Sequence, residues 1–235
     1  MCEKMKENIR EYEKAILFVK QQIEQGNLQI GSRLPTERVI SEILGISRNS
    51  TREALRIMEN MGVTESRQGS GNYLSENLSE KVSLMIDMML IMKKTTLSQI
   101  SEFRRSMEKT VCDMLITQVE NDDIILNIKD SINTFMDTTL DNQIELDKKF
   151  HYFLICATDN NFLIMLMNAV SDIYRKSIDI ILKNASVETK SEIHKYHNLI
   201  LDSLIFKNRG LCMMAIDAHY DLIEKEQKRQ NIGWK

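Results

Sequence analysis

The sequence predicts a mainly α-helical chain in two parts: a small helix-and-hairpin region, followed by an all-helical bundle. Two observations carry this. The single proline, Pro35, and six of the eight glycines lie between residues 26 and 71, the mark of short elements joined by tight turns. From residue 72 to 235 there is no proline, and only Gly210 and Gly233, a composition that favours long helices. The expected organisation is a first domain over 1–75, a linker over 76–80 within "SENLSE", a helical domain over 81–228 and a tail over 229–235.

Taken in order, Ile16, Val19 and Ile23 mark one face of a first helix that stops at Gly26. "NLQIGSRLP" reads as an extended segment with a turn. Val39, Ile40 and Leu44 give a short helix from 36 to 44, Gly45-Ile46 a turn, and Ser47 the N-cap of the next helix. That helix buries Leu55 and Met58 on the side away from Arg48 and Arg52. "VTESRQGSGNYL" is a β-hairpin with a glycine-bearing tip. Helix, short helix, turn, helix and hairpin is the order of a winged helix-turn-helix with the hairpin as its wing. Further on, "LMIDMMLIM" at 84–92 contains an acid and is far shorter than a membrane span, so it reads as a buried helix. The fifteen methionines, set among Ile and Leu at helical spacing, read as core filler.

The bulk numbers are those of a soluble globular protein of 235 residues with a net charge of −3. The start, "MCEKMKENIREYEK", is charged from its third residue, so no secretory signal is expected. Four cysteines without CxxC spacing suit free thiols in a reducing cytoplasm. The net charge argues against nucleic acid, but arginine placement argues for it. Six of the twelve arginines (Arg33, Arg38, Arg48, Arg52, Arg56, Arg67) fall between 33 and 67, and a local patch binds phosphate even in a weak total field.

In "GISRNSTREALR" the arginines at 48, 52 and 56 share one helical stripe, separated by short polar residues. A recognition helix enters the major groove by its N-terminal turn, where small residues avoid clashes and arginine meets guanine or phosphate. Arg48, Asn49 and Arg52 are placed for this; Arg38 before the turn and Arg67 on the hairpin reach flanking backbone or minor groove. Arg56 stands a turn further in, with a backbone or structural role. A solvated basic face paired with Glu53 and Glu59 is the plainer alternative.

At this point the stretch from Gln25 to Leu74 resembles the DNA-binding domain of GntR-type bacterial transcription regulators. The matching pieces are I-x-x-G-x-L, G-x-R-L-P-[ST]-E-R and G-[VI]-S-R-x-x-x-R-E-A-L-R. The resemblance implies contact with double-stranded operator DNA through Arg38, Arg48 and Arg52 and through the wing glycines Gly69 and Gly71. Thr51 stands where that pattern usually has an apolar residue.

All four histidines lie in the helical half. Asp147 and His151 in "LDKKFHYFL" are four apart, hence on one helix face. His197 and His219 flank "FKNRG", ending at Gly210, by arms of equal length, so an antiparallel turn there returns both rings to one height. His194, one turn before His197, is an outer partner or exposed. Three imidazoles and a carboxylate on facing helices suit a divalent transition metal such as Zn, Ni or Mn. Singly, each histidine reads equally as a hydrogen-bonded core or surface residue.

Residues from about 80 to 228 resemble the FCD effector domain of the FadR-like GntR branch, through "EFRRSME", D-x-x-F-H followed by A-x-x-N-N, and H-x(21)-H. That resemblance implies metal ligands at Asp147, His151, His197 and His219, and Arg104 facing the cavity as partner of an anionic ligand. Arg175 is a second candidate for the far end of a small carboxylate, and Arg105 is expected on the outer face. A surface ion pair is the plainer alternative for each arginine.

The function expected is that of a metabolite-responsive transcription regulator. It would be a cytoplasmic homodimeric repressor of two-fold operator DNA, with a small carboxylate effector at the metal. A metal-dependent hydrolase would need a base beside the ion, and no H-E-x-x-H is present. An effector-independent architectural DNA binder would want a basic bulk composition, which this chain lacks.

Overall fold

The computed structural model describes residues 9–76, 78–118, 122–133 and 139–230. Cys2, the linker's Asn77 and the tail's last five residues, 231–235, lie outside them. The chain divides into two compact units at Val82/Ser83, slightly beyond the expected linker over 76–80.

The first unit contains α1 (Glu11–Glu24), α2 (Glu37–Leu44), α3 (Arg48–Asn60), and an antiparallel hairpin of β1 (Thr64–Arg67) and β2 (Gly71–Leu74). Local chemistry sets the breaks. Thr36 caps α2 by accepting from Val39 N, Gly45 ends it at φ 62°, and Ser47 caps α3 by accepting from Ser50 N. Ile40, Ala54, Leu55, Met58 and Leu74 form the core with Ala15 and Val19 of α1. The buried face of α1 is thus led by Ala15, whose small side chain permits close approach, and Ile23 in the last turn is 40% exposed. Thr51 is fully buried and returns its hydroxyl proton to the Ser47 carbonyl at 3.2 Å, so a hydroxyl is tolerated at an apolar position because it carries its own acceptor.

The second unit is built from the remainder of α4 (Ser79–Ile91), α5 (Leu97–Gln118), α6 (Asp122–Asn133), α7 (Leu140–Cys156), α8 (Asn161–Asn184), α9 (Val187–Ile205) and α10 (Arg209–Arg229). Between α9 and α10 the left-handed residue is Lys207, at φ 51°, and Asn208 caps α10 by accepting from Leu211 N. Gly210, expected to make this turn, lies inside the first turn of α10.

Two apolar layers give the bundle its core. One holds Phe150, Leu154, Ile200 and Ile216, the other Ile144, Ile193, Tyr174 and Ile223. Each layer thus draws on α7, α9 and α10, and Asp147, His197 and His219 fall between the layers on those three helices, with His151 next to Phe150. Cys112 and Cys212 are buried free thiols, and Cys156 is half-buried.

The stretch at 84–92 corrects an expectation. Ile86 and Leu90 of α4 pack on Leu97, Ile100 and Val170, but Leu84, Met85, Met88, Met89, Ile91 and Met92 are exposed. A helix apolar on all sides buries only the face its own chain can cover, so these methionines are surface, not core filler. Among the described residues no helix is long and apolar enough to cross a membrane.

Candidate metal centre and nucleic-acid interface

In the first unit, the residues expected at DNA all reach solvent. Arg48 and Asn49 open α3 directly after the Ser47 cap and are exposed. Three other arginines are each matched with a carboxylate. Arg52 donates from Nε and Nη2 to Glu37 (2.8 Å for Nη2), Arg38 pairs with Glu42 at 3.1 Å, and Arg67 pairs with Glu65 at 2.6 Å while lying over the Tyr73 ring. Gly69 and Gly71 sit at the hairpin tip at φ 72° and 112°, conformations that L side chains rarely adopt. A Cβ on Gly71 would also meet Arg33 Nε at 3.3 Å.

Glu11 lies outside the motifs quoted above, and Glu37 lies inside one of them, G-x-R-L-P-[ST]-E-R, without a role assigned to it. Glu11 of α1 accepts from Ser47 N and Ser50 Oγ, which ties α1 to the start of the recognition helix. The Ser50 bond, then the Ser47 backbone bond, holds its carboxyl below the usual range. Both partnerships cross from one helix to another, and the fold reveals them.

In the second unit the four expected ligands come together. The i, i+4 spacing of α7 sets Asp147 and His151 on one face, and the α9–α10 turn brings His197 and His219 to the same level, with ring centroids 4.8 Å apart. His151 lies 5.3 Å from the first ring and 5.2 Å from the second. One nitrogen from each of the three rings lies within 4.8 Å of the others. Two metal–nitrogen bonds of ~2.1 Å span at most ~4.2 Å, so small ring rotations suffice to close on an ion. Asp147 Oδ1 stands 3.6 Å from His197 Nε2. All four side chains are at least nine-tenths buried, and Phe150 stacks on His197 at 4.0 Å.

Burial also prepares the nitrogens for a metal. It pushes His219 down to about 3, with the His151 charge adding to the effect. Burial followed by the neighbouring His219 and His151 takes His197 well below its usual range. Both rings are therefore neutral at pH 7, the form that ligates. Asp147 is pushed up by its burial, against the pull of His151 and Arg104. Among the described residues, His219 Nδ1 is buried without a hydrogen-bond partner, and His151 Nδ1 makes no hydrogen bond of normal geometry although Glu108 Oε1 stands 3.0 Å away. A buried imidazole cluster with two rings held neutral, an orphaned nitrogen and an adjoining carboxylate fits a divalent transition ion of the Zn, Ni or Mn type.

Arg104 on α5 reaches this chamber. It is 6% exposed, its guanidinium carbon lies 5.5 Å from the centre of the Tyr174 ring, and it lines the same cavity as Asp147, His151, His219 and Tyr220. The cavity is about 10 Å³, room for about one water. Arg104 Nε donates to Glu108 Oε1 at 3.0 Å, and that same oxygen lies 3.0 Å from His151 Nδ1. Burial opposes the Glu108 charge, but His151 and Arg104 outweigh it and hold the carboxyl far below its ordinary range. Glu108 closes the "EFRRSME" motif but was given no role there, and Tyr174 and Tyr220 were not singled out in the sequence. The Arg104–Glu108 spacing of four residues was the one available signal.

One expectation is corrected here, the placing of Arg175 at the cavity. Arg175 lies on the outside of α8, exposed and paired with Glu145 at 3.2 Å, because its position turns away from the buried side that carries Tyr174 and Ile178. Arg105 is partly buried, bridging from α5 to Asp217 and Asp221 of α10. His194, outside the ring cluster, is hydrogen-bonded to Asn198.

Comparison with known proteins accounts for both units. The model of "Bacterial regulatory proteins, gntR family" matches residues 11–74, and that of the FCD domain matches 99–222. The HTH-type transcriptional regulator LutR of Bacillus subtilis is 28% identical over 210 residues, 86% of this chain and 94% of LutR. The Uxu operon regulator of Haemophilus influenzae is 29% identical over 231 residues, 93% of this chain and 83% of its own length. A solved Streptococcus agalactiae GntR structure shares the fold at TM-score 0.69 and 22% identity, over 91% of this chain and 99% of that one. The chain is therefore a transcription regulator rather than an enzyme, and it belongs to the GntR family of bacterial regulatory proteins, with an FCD domain as its second half.

Proposed function

We propose that the protein is a cytoplasmic, homodimeric repressor that binds operator DNA and releases it when a small carboxylate occupies a metal site in the helical unit. The carrying observation is the buried cluster of His151, His197 and His219, mutually within ligating range, beside Asp147. In this reading these four residues hold Zn, Ni or Mn. The ion supplies Lewis acidity and open coordination positions for the carboxylate. Arg104 meets the effector's other end with the donors left over from its bond to Glu108. The cavity of about 10 Å³ favours a short effector that moves side chains on entry over a long acyl chain.

On the DNA side, Arg48 and Asn49 read base edges, and Arg38, Arg52 and Arg67 hold phosphate or minor groove. Gly69 and Gly71 let the wing approach the duplex. The exposed apolar face of α4, from Leu84 to Met92, supports a two-fold dimer, since a patch of this kind marks an interaction surface. Effector occupancy then shifts the population of dimers whose two readers match the operator half-sites.

The test uses full-length, metal-loaded protein and a duplex selected by the protein itself from random sequence, followed by fluorescence anisotropy. Small hydroxy acids and dicarboxylates are added in turn. Release of DNA by at least one of them at sub-millimolar concentration is expected; no response to any, with the metal bound, contradicts the sensing half of the reading. A Met85→Glu/Met88→Glu variant that remains dimeric in sedimentation would contradict the role given to α4.

A further inference from the structure

We infer that Glu108 is the positioning residue of the helical site, fixing the tautomer and orientation of His151 and the direction of Arg104 through a single carboxylate oxygen. This rests on the metal reading above.

The geometry is specific. Glu108 Oε1 lies 3.0 Å from Arg104 Nε and 3.0 Å from His151 Nδ1. The side chain of Glu108 is 1% exposed, so water does not compete for it. As the ring stands Nδ1 makes no hydrogen bond of full geometry; a small turn onto Oε1 completes it, and since an ionised carboxylate only accepts, the ring nitrogen facing it then carries the proton. That nitrogen is Nδ1. The lone pair is then on Nε2, the atom left to the ion, and the ring cannot turn over without breaking the contact. Without Glu108 both tautomers are open to His151, and only one is competent.

The same oxygen fixes Arg104. Glu108 and Arg104 are one helical turn apart on α5, and Nε is spent on the carboxylate, which leaves the terminal nitrogens to project onward toward the cavity that Arg104 shares with Asp147 and His219. Carboxylate, imidazole and guanidinium therefore move as one unit. The ion-facing arm and the anion-facing arm of the site share a hinge.

The plainer role would be charge balance alone, since a buried arginine needs a counter-charge. Two measurements separate them. The first needs no substitution: ¹⁵N-histidine NMR of the full-length metal-free protein, with His151 identified by its loss in His151→Ala. Protonation at Nδ1 is expected, and an Nε2–H tautomer would overturn the assignment.

The second compares Zn²⁺ affinity, by competition with a chromophoric chelator, in wild type, Glu108→Gln and Arg104→Gln/Glu108→Gln. Loss of such an outer partner weakens metal binding by about 10- to 100-fold, and the same loss is expected in the double variant, where the buried charge is balanced again. Wild-type affinity in Glu108→Gln, or its return in the double variant, would reduce Glu108 to a counter-ion. Absence of Zn²⁺ binding by wild type would overturn this inference together with the reading beneath it, whereas a wild-type site that ignores Glu108→Gln overturns the inference alone.

Discussion

The two units place their polar chemistry in opposite solvents. In the first, Arg38, Arg52 and Arg67 stand in water and are matched with Glu42, Glu37 and Glu65; in the second, Arg104, Glu108 and three imidazoles are sealed between two apolar layers. Exposed ion pairs are worth little, so in the proposed DNA contact those arginines would exchange a carboxylate for a phosphate at small cost, and each phosphate contact would release counterions. Inside the bundle no such exchange is possible. Each buried polar atom must find a fixed partner, a role that a cation would fill for the imidazole cluster in the proposed reading. One unit is built to let go, the other to hold.

The sharpest break in this contrast is a core substitution. Phe150 is fully buried and stacks on His197, so Phe150→Ala should destabilise the helical unit by about 3–5 kcal/mol. Denaturant unfolding followed in each unit separately checks it. The winged unit should not move, and a matching loss there would show that the units do not unfold independently.

Next comes Arg48→Ala. The prediction is a loss of about 1–3 kcal/mol in operator affinity at fixed salt, with relaxed base preference and an unchanged unfolding midpoint. An equal loss on every duplex would move Arg48 from base reading to phosphate. A smaller effect is expected from Ser47→Ala, which removes the cap on Ser50 N and should lower the stability of the winged unit by about 1 kcal/mol, measured by thermal unfolding. Arg175→Ala should do least, within about 0.5 kcal/mol in stability and with metal content and effector response unchanged. A lost response would return Arg175 to the site.

The same contrast explains what could be seen in advance. The winged unit was legible because its parts are local: Gly45 breaks α2, Ser47 caps α3, and the arginines follow at fixed spacing. In the bundle, the histidine cluster was legible from one global feature, the equal arms on either side of the α9–α10 turn, even though Lys207 rather than Gly210 bends the chain there. Glu108 was half-visible, four residues from Arg104, but its contact with His151 crosses from α5 to α7 and has no sequence period. Arg175 misled because its charge suited the chemistry while its helix face did not. The 84–92 stretch misled for a related reason: apolar periodicity reports that a face must be covered, without saying whether the same chain covers it.

The most direct test of the central claim is the metal content of protein purified without affinity tag or chelator, measured by mass spectrometry beside His197→Ala. The account predicts about one transition-metal ion per chain in the wild type and its loss in the variant. No metal in either protein, even after soaking and desalting, would contradict it, and the imidazoles between the two apolar layers would then be core residues of a regulator that senses by some other site.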